Sequence, residues 1–380
     1  MIYLDHAATT YVKDAVFEEM TPYFTDRFGN PSSLYAIGKD NKLAINKARL
    51  QVAKAINGKE NEVFFTSCGS EADNWALKGI AFANRDKGSH IITSCIEHPA
   101  ILNTCKFLEN EGFDVTYLPV DNDGLIDLAE LEKAITDNTI LISIMFANNE
   151  IGTIEPIKEI SAIAKKYNVY FHTDAVQAVG NVKIDVDDLG VDMLSLSAHK
   201  FYGPKGIGVL YIKEGTHINS FVHGGGQENG RRAGTENVAG IVGLGKAIEL
   251  AYSDFDEKYN KVLMLREKLI NGVFERIPCV KLNGSRSKRL VGNVNFSFEG
   301  VDGEAVLLML NMKGICVSTG SACSSASSKP SHVLTAIGLD DDISKGSLRL
   351  TIGDENTEEE IEYTIDTLEK IVERLREIKK

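Results

Sequence analysis

The chain lacks the features that would place it in several large functional classes. Its six cysteines, at 68, 95, 105, 279, 316 and 323, form no Cys-x-x-Cys pair. A disulfide framework and a compact zinc knuckle are therefore not indicated, and no structural metal is expected. No apolar run approaches the ~20 residues of a membrane span. The opening MIYLDHAATT has neither the basic region nor the apolar core of a signal peptide, so a cytoplasmic protein is expected. No Gly-x-Gly-x-x-Gly fingerprint is present, which makes dinucleotide binding a poor reading. Internal repeats and low-complexity tracts are also missing. Positive charge is in deficit: 41 basic residues face 54 acidic ones, a formal charge of −13. Nucleic acid is then not expected as the main ligand.

What remains is a soluble-type composition. With 380 residues, 43% of them hydrophobic, the chain can bury a large α/β core and a smaller second domain. Strand-like runs at 62–66, 90–96, 114–120, 139–147, 169–171, 193–198 and 206–212 alternate with helical segments, among them 127–135 and 156–167. This order predicts a predominantly parallel sheet covered by helices. Ser32 or Ser33 is available to cap a helix running to Ile56. Residues 235–274 read as largely helical, with a domain boundary near 258. Beyond it, 279–282 and 290–298 read as strands of a smaller unit, and 302–312 as a helix. Residues 358–377 are a helix with an apolar stripe at 361, 365, 368, 371, 372 and 375.

The stretch 171–200 carries the strongest chemical signal. Asp174 follows one apolar run and Lys200 closes another, so both should reach the same sheet edge. A strand-end acid can hold a proton on a ring nitrogen, and a strand-end amine can form a Schiff base. The pair suggests pyridoxal phosphate, although an ordinary turn acid and a surface lysine would read the same way. Elsewhere Gly69-Ser70 opens a helix whose free amides can hold a phosphate, or it is an ordinary cap. His98 sits at a strand-to-helix junction, as many surface histidines do. The run 223–237, with Arg231 and Arg232 among its glycines, could be any flexible loop. Cys323 lies in Gly320-Ser321-Ala322-Cys323-Ser324-Ser325-Ala326, a segment poor in bulky residues that could carry a thiol between environments.

Ser197-Ala198-His199-Lys200, preceded by His172-Thr173-Asp174-Ala175-Val176-Gln177, resembles the NifS/IscS-type class-I cysteine desulfurases. The likeness runs from Tyr3-Leu4-Asp5-His6-Ala7-Ala8-Thr9-Thr10 to Ser347-Leu348-Arg349. It departs from the family at Tyr35 and at Cys68, where relatives usually carry histidine and glycine. The resemblance implies a PLP-dependent transferase of fold type I, with a mostly parallel seven-stranded sheet in a large domain. The implied division is an N-terminal segment 1–14 associated with the small domain, a large domain 15–258, and a small domain 259–380. The catalytic-cysteine loop would lie around 320–331.

The resemblance further implies that Lys200 bonds the cofactor and that Asp174 holds its ring nitrogen. His98 would stack on the ring and share proton transfers with Lys200. Asn149 and Gln177 would contact the phenolic oxygen, with Asn149 also near the substrate. Gly69, Ser70, Ser197, His199 and, from the other subunit of a homodimer, Thr235 would hold the phosphate. Arg349 would bind the carboxylate of L-cysteine and Cys323 would take its sulfur as a persulfide, leaving alanine. That persulfide could supply an iron–sulfur scaffold protein or a tRNA-thiolation enzyme, and any iron–sulfur ligation by Cys323 would be transient. Three readings stay open beside it: a selenocysteine lyase, a PLP aminotransferase, and a non-enzymatic sulfur scaffold or interaction protein.

Overall fold

The computed structural model describes residues 1–319 and 331–379. Seven strands form the main sheet: β2 (Val63–Thr66), β3 (His90–Ser94), β4 (Asp114–Leu118), β5 (Thr139–Ser143), β6 (Tyr170–Asp174), β7 (Met193–Ser197) and β8 (Gly208–Ile212). Their order is β2-β8-β7-β6-β5-β3-β4. The five strands from β4 to β7 pair in parallel, as alternation of strand and helix requires. β8 runs antiparallel to β7, because the short 198–207 connection has no crossover helix to return the chain. β2 pairs antiparallel to β8 at the edge. The sheet is thus mostly parallel, with β8 running against the other six strands.

Side-chain alternation sends each strand into two cores. On β7, Leu194 and Leu196 join the cluster of Ile142, Phe171 and Val209, while Met193 joins Trp75, Leu141 and Leu210 on the other face. Helices cover both faces, so the central strands read as nearly continuous apolar runs. The helix Gly69–Ala83 buries Ala72, Trp75, Ala76, Leu77 and Ile80.

A second, smaller sheet has the order β12-β10-β9, from β9 (Val280–Leu282), β10 (Asn293–Phe298) and β12 (Ser347–Thr351). Beside it β1 (Ile2–Tyr3) pairs in parallel with β11 (Ile315–Cys316). Leu269, Phe296, Leu348 and Ile365 share its core with Leu4. The amphipathic helix expected near the C-terminus is present. It spans Glu358–Lys379 and buries Ile361, Ile365, Leu368, Ile371 and Val372.

One local expectation needs correction, and a second is borne out in finer detail. The helix ending at Ala55 starts at Ala36 with Tyr35 in the cap position, not Ser32 or Ser33. Asn30 takes the Ser32 N–H on its own side chain at 2.9 Å, which holds this stretch as a turn. The helical run 235–274 is two helices, Val238–Tyr252 and Phe255–Arg276, broken at Asp254 with a left-handed φ of 51°. Position 258 therefore falls inside the second helix. Among the described residues no helix is long and apolar enough to cross a membrane.

Candidate active site

Asp174 ends β6 and lies beside Ser195 of β7 in register. Lys200 follows β7 in a single tight turn, Ala198–Lys200. Both side chains thus reach the C-terminal edge of the parallel strands, where ligands of such sheets bind. A cavity of about 370 Å³ opens there. Gly69, Ser70, His98, Asn149, Asp174, Gln177, Ser197, His199, Lys200 and Arg349 all line it. A larger cleft of about 570 Å³ sits near the start of β6, beside Tyr170 and Phe171, and contains none of these residues. Chemistry, rather than size, marks the first cavity as the site.

The cavity walls are built from element ends. The N-terminus of the helix Gly69–Ala83 faces it, and that end offers unpaired amides and the positive end of the helix dipole. A Cβ on Gly69 would stand 2.7 Å from Cγ2 of Val176, so the backbone approaches where no side chain fits. His98 caps the helix Pro99–Asn110, its Nδ1 accepting the Ala100 N–H at 3.1 Å. That bond assigns the proton of the neutral ring to Nε2. Burial holds the His98 pKa below the ordinary histidine value, with Lys200 and His332 adding to the effect and Asp174 opposing it.

Asp174 accepts the Val176 N–H at 2.9 Å. Burial raises its pKa, and the charges of His98 and Lys200 pull it back. The Lys200 amine donates to the carbonyls of Ala7 at 2.5 Å and Ala8 at 2.8 Å. Gln177 Nε2 donates to the same Ala7 carbonyl at 3.0 Å. His199 pairs through Nδ1 with Thr9 Oγ1 at 3.1 Å, and burial lowers its pKa to about 4. Alternation along β12 sends Leu348 and Leu350 into the small core and Arg349 to the opposite face. Its Nη1 donates to the Asn149 carbonyl at 2.9 Å, and its Nη2 meets Asp5 Oδ1 at 2.8 Å.

Two expected residues are not brought together with these ten. Thr235 is exposed and does not line the cavity within one chain. Cys323 lies outside the described residues.

The structure also adds residues that the sequence reading missed. Asp73 and Glu150, both buried, line the cavity, as does His332. The segment 5–10, which had no assigned task, touches Arg349, Lys200, Gln177 and His199. Its contacts are mostly backbone carbonyls and join residues far apart in sequence, so no local pattern could announce them. Asp73 sits one helical turn after Gly69 on the same helix, a spacing that could have flagged it.

Comparison with known proteins gives the same picture. The aminotransferase class-V family matches residues 2–364. A protein named cysteine desulfurase IscS from Clostridium botulinum is 61% identical over 379 residues, covering 99% of this chain and 96% of that one. A protein of the same name from Methanosarcina thermophila is 59% identical over 375 residues, covering 99% and 93%. Among solved structures, a NifS-like protein superposes with a TM-score of 0.93 at 40% identity, covering 98% of this chain and 99% of that one. A structure titled SspA in complex with cysteine gives a TM-score of 0.83 at 40% identity, covering 94% and 100%. With this fold, this cavity and these relatives, the chain belongs to the class-V aminotransferase family and, within it, to the NifS/IscS-type cysteine desulfurases.

Proposed function

We propose that the cavity at the ends of β6 and β7 binds pyridoxal phosphate and L-cysteine. The enzyme is a cysteine desulfurase, converting L-cysteine to L-alanine and an enzyme-bound persulfide for sulfur transfer. The observation that carries the site assignment is the convergence on one cavity of Asp174 from β6, Lys200 from the turn after β7 and Arg349 from β12. The residues present fit the cofactor. A buried acid can face its ring nitrogen, an amine its aldehyde, and a helix N-terminus with a Cβ-free approach at Gly69 its phosphate.

When bound, pyridoxal phosphate supplies an electron sink for the bonds that break at the amino acid. The chain's own residues do the rest. Asp174 holds a proton at the ring nitrogen, and its burial makes that interaction strong. Asn149 and Gln177 orient the ring's oxygen side, while Ser70, Ser197 and His199 hold the phosphate. Lys200 supplies the bonding amine and afterwards moves a proton at Nζ. His98, neutral with its proton on Nε2, would serve as the second proton carrier. Arg349 receives the substrate carboxylate with two directed N–H groups.

Cys323 attacks the substrate sulfur as a thiolate. A sulfur–sulfur bond forms as the carbon–sulfur bond breaks, and the electron pair of the broken bond stays on the carbon side. Proton transfer to that carbon yields alanine.

The enzyme is read as a cytoplasmic homodimer in which Thr235 of each subunit contacts the other subunit's phosphate site. Exposed Phe17, Phe24, Phe28 and Leu34 support an apolar contact between copies. Segment 1–14 is assigned with the small domain 259–380, because Leu4 shares its core. The persulfide's acceptor is an iron–sulfur scaffold or a tRNA-thiolation enzyme.

Brief incubation with sulfur-labelled L-cysteine tests the mechanism. Wild type should carry label on Cys323 and release alanine. Cys323→Ala should keep its cofactor but lose both. Near-wild-type alanine formation by folded Cys323→Ala would overturn the sulfur route.

A further inference from the structure

We infer that Asp5 is a positioning residue that sets the orientation of Arg349 and thereby the affinity of the site for the substrate carboxylate. This rests on the reading of Arg349 as the carboxylate anchor. The guanidinium is 2% exposed, and the Asp5 carboxylate that pairs with it at 2.8 Å is 18% exposed. A guanidinium is planar, so bonds to two fixed acceptors define its plane. Two such acceptors among the described residues are the Asn149 carbonyl, on the turn after β5, and Asp5, on the N-terminal strip beside the smaller sheet. One acceptor comes from each side of the cavity. Losing Asp5 removes a fixed, charged acceptor from Nη2, and a guanidinium turned from its plane cannot present two aligned N–H groups to a carboxylate.

Asp5 is itself immobilised from both sides. The Leu4 N–H donates to the Cys316 carbonyl at 2.9 Å, and the Thr351 N–H donates to the Leu4 carbonyl at 2.7 Å. The Ala7 N–H donates to Thr351 Oγ1 at 2.9 Å. The carboxylate therefore stays on Nη2 and acts as a fixed stop, not as an internal competitor that swings aside. Its charge also offsets that of the buried cation.

The same contacts predict a division of effects. Ala7, whose carbonyl holds Lys200, is anchored by Thr351 and Gln177 without help from the Asp5 side chain. Loss of that side chain should disturb Arg349 and leave Lys200 in place. Binding of the substrate should suffer and the chemical step should not.

The test uses the holoenzyme. Asp5→Ala should raise KM for L-cysteine, and Kd for L-alanine read from the cofactor absorbance, by about tenfold. Its kcat should change by less than about twofold. Cysteamine, which has no carboxylate, should bind wild type and variant alike, and cofactor content should be unchanged. Asp5→Asn keeps the shape and an acceptor oxygen but not the charge, so it should fall between wild type and Asp5→Ala. It carries the test if Asp5→Ala does not fold. Unchanged L-alanine affinity, tighter binding in either variant, or an equal loss for cysteamine would overturn the inference. Arg349→Ala separates the two levels. If it leaves L-cysteine binding intact, the anchor reading falls. If it weakens binding while Asp5→Ala and Asp5→Asn do not, the role of Asp5 alone falls.

Discussion

Glu97 is a carboxylic acid sealed from water beside the catalytic cavity. Ser94 Oγ at 2.7 Å and the Met145 N–H at 2.9 Å both donate to its Oε1. Its Oε2 has no hydrogen-bond partner among the described residues. Burial pushes the pKa up to about 8, so the group is largely neutral at neutral pH. A raised folded-state pKa contributes stability below the unfolded value of 4.5, and that contribution is lost as pH rises through about 8. His172 has the opposite sign: burial lowers it to about 3, so its contribution is present above 6.5 and is lost as pH falls. Glu97→Gln stays neutral at every pH. Thermal melts between about pH 5 and pH 9 should fall less steeply on the alkaline side in this variant than in wild type. Equal slopes would count against a neutral, buried Glu97. At the same scale, borohydride reduction of the holoenzyme followed by peptide mapping should place the cofactor adduct on Lys200. An adduct on another lysine, with none there, would remove Lys200 from its role.

The turn 148–152 depends on an element distant in sequence. Arg289, in the connection before β10, donates to the carbonyls of Ile151 at 2.6 Å and Ser285 at 2.8 Å, and also to that of Asn283. Burial lowers its pKa to about 9, which still leaves it protonated near neutral pH. Arg289→Met would strand several buried carbonyls and should cost about 3 kcal/mol, read from urea unfolding. Arg289→Lys should recover part of the loss; an unchanged denaturation midpoint for Arg289→Met would refute the tie. Elements with a strong period were legible from sequence. The stripe of 361, 365, 368, 371 and 372 repeats every turn, and the runs at β3, β5, β6 and β7 are apolar because helices cover both their faces. The candidate pair Asp174 and Lys200 was legible because each stands at the end of such an element, whereas Gly69 and His98, also at element ends, were marked only by the family resemblance. Arg289 and the carbonyls of Ala7 and Ala8 were not, since backbone acceptors have no residue type and long-range contacts have no period. The two-residue strands β1 and β11 are likewise too short to carry a pattern.

The whole molecule is expected to work as a pair of chains. Mixing Lys200→Ala with Thr235→Val subunits tests whether Thr235 acts across the pair. If it does, one of the two sites in each mixed dimer is intact and activity returns on mixing. If Thr235 serves its own chain, every mixed site keeps one lesion and no recovery follows. The way the chain closes on itself has a further consequence, for synthesis. Leu4 and Asp5 bond to Cys316, Arg349 and Thr351, all far downstream. At roughly 5–20 residues per second, a ribosome needs on the order of 15–60 s to deliver those partners after it has made the N-terminal strip. Throughout that interval Leu4 and Asp5 lack these partners, although Ala7, Ala8 and Thr9 can already meet Gln177, His199 and Lys200. The Asp5–Arg349 pair, and with it the wall that β12 lends to the cavity, therefore forms only after the last strand has emerged.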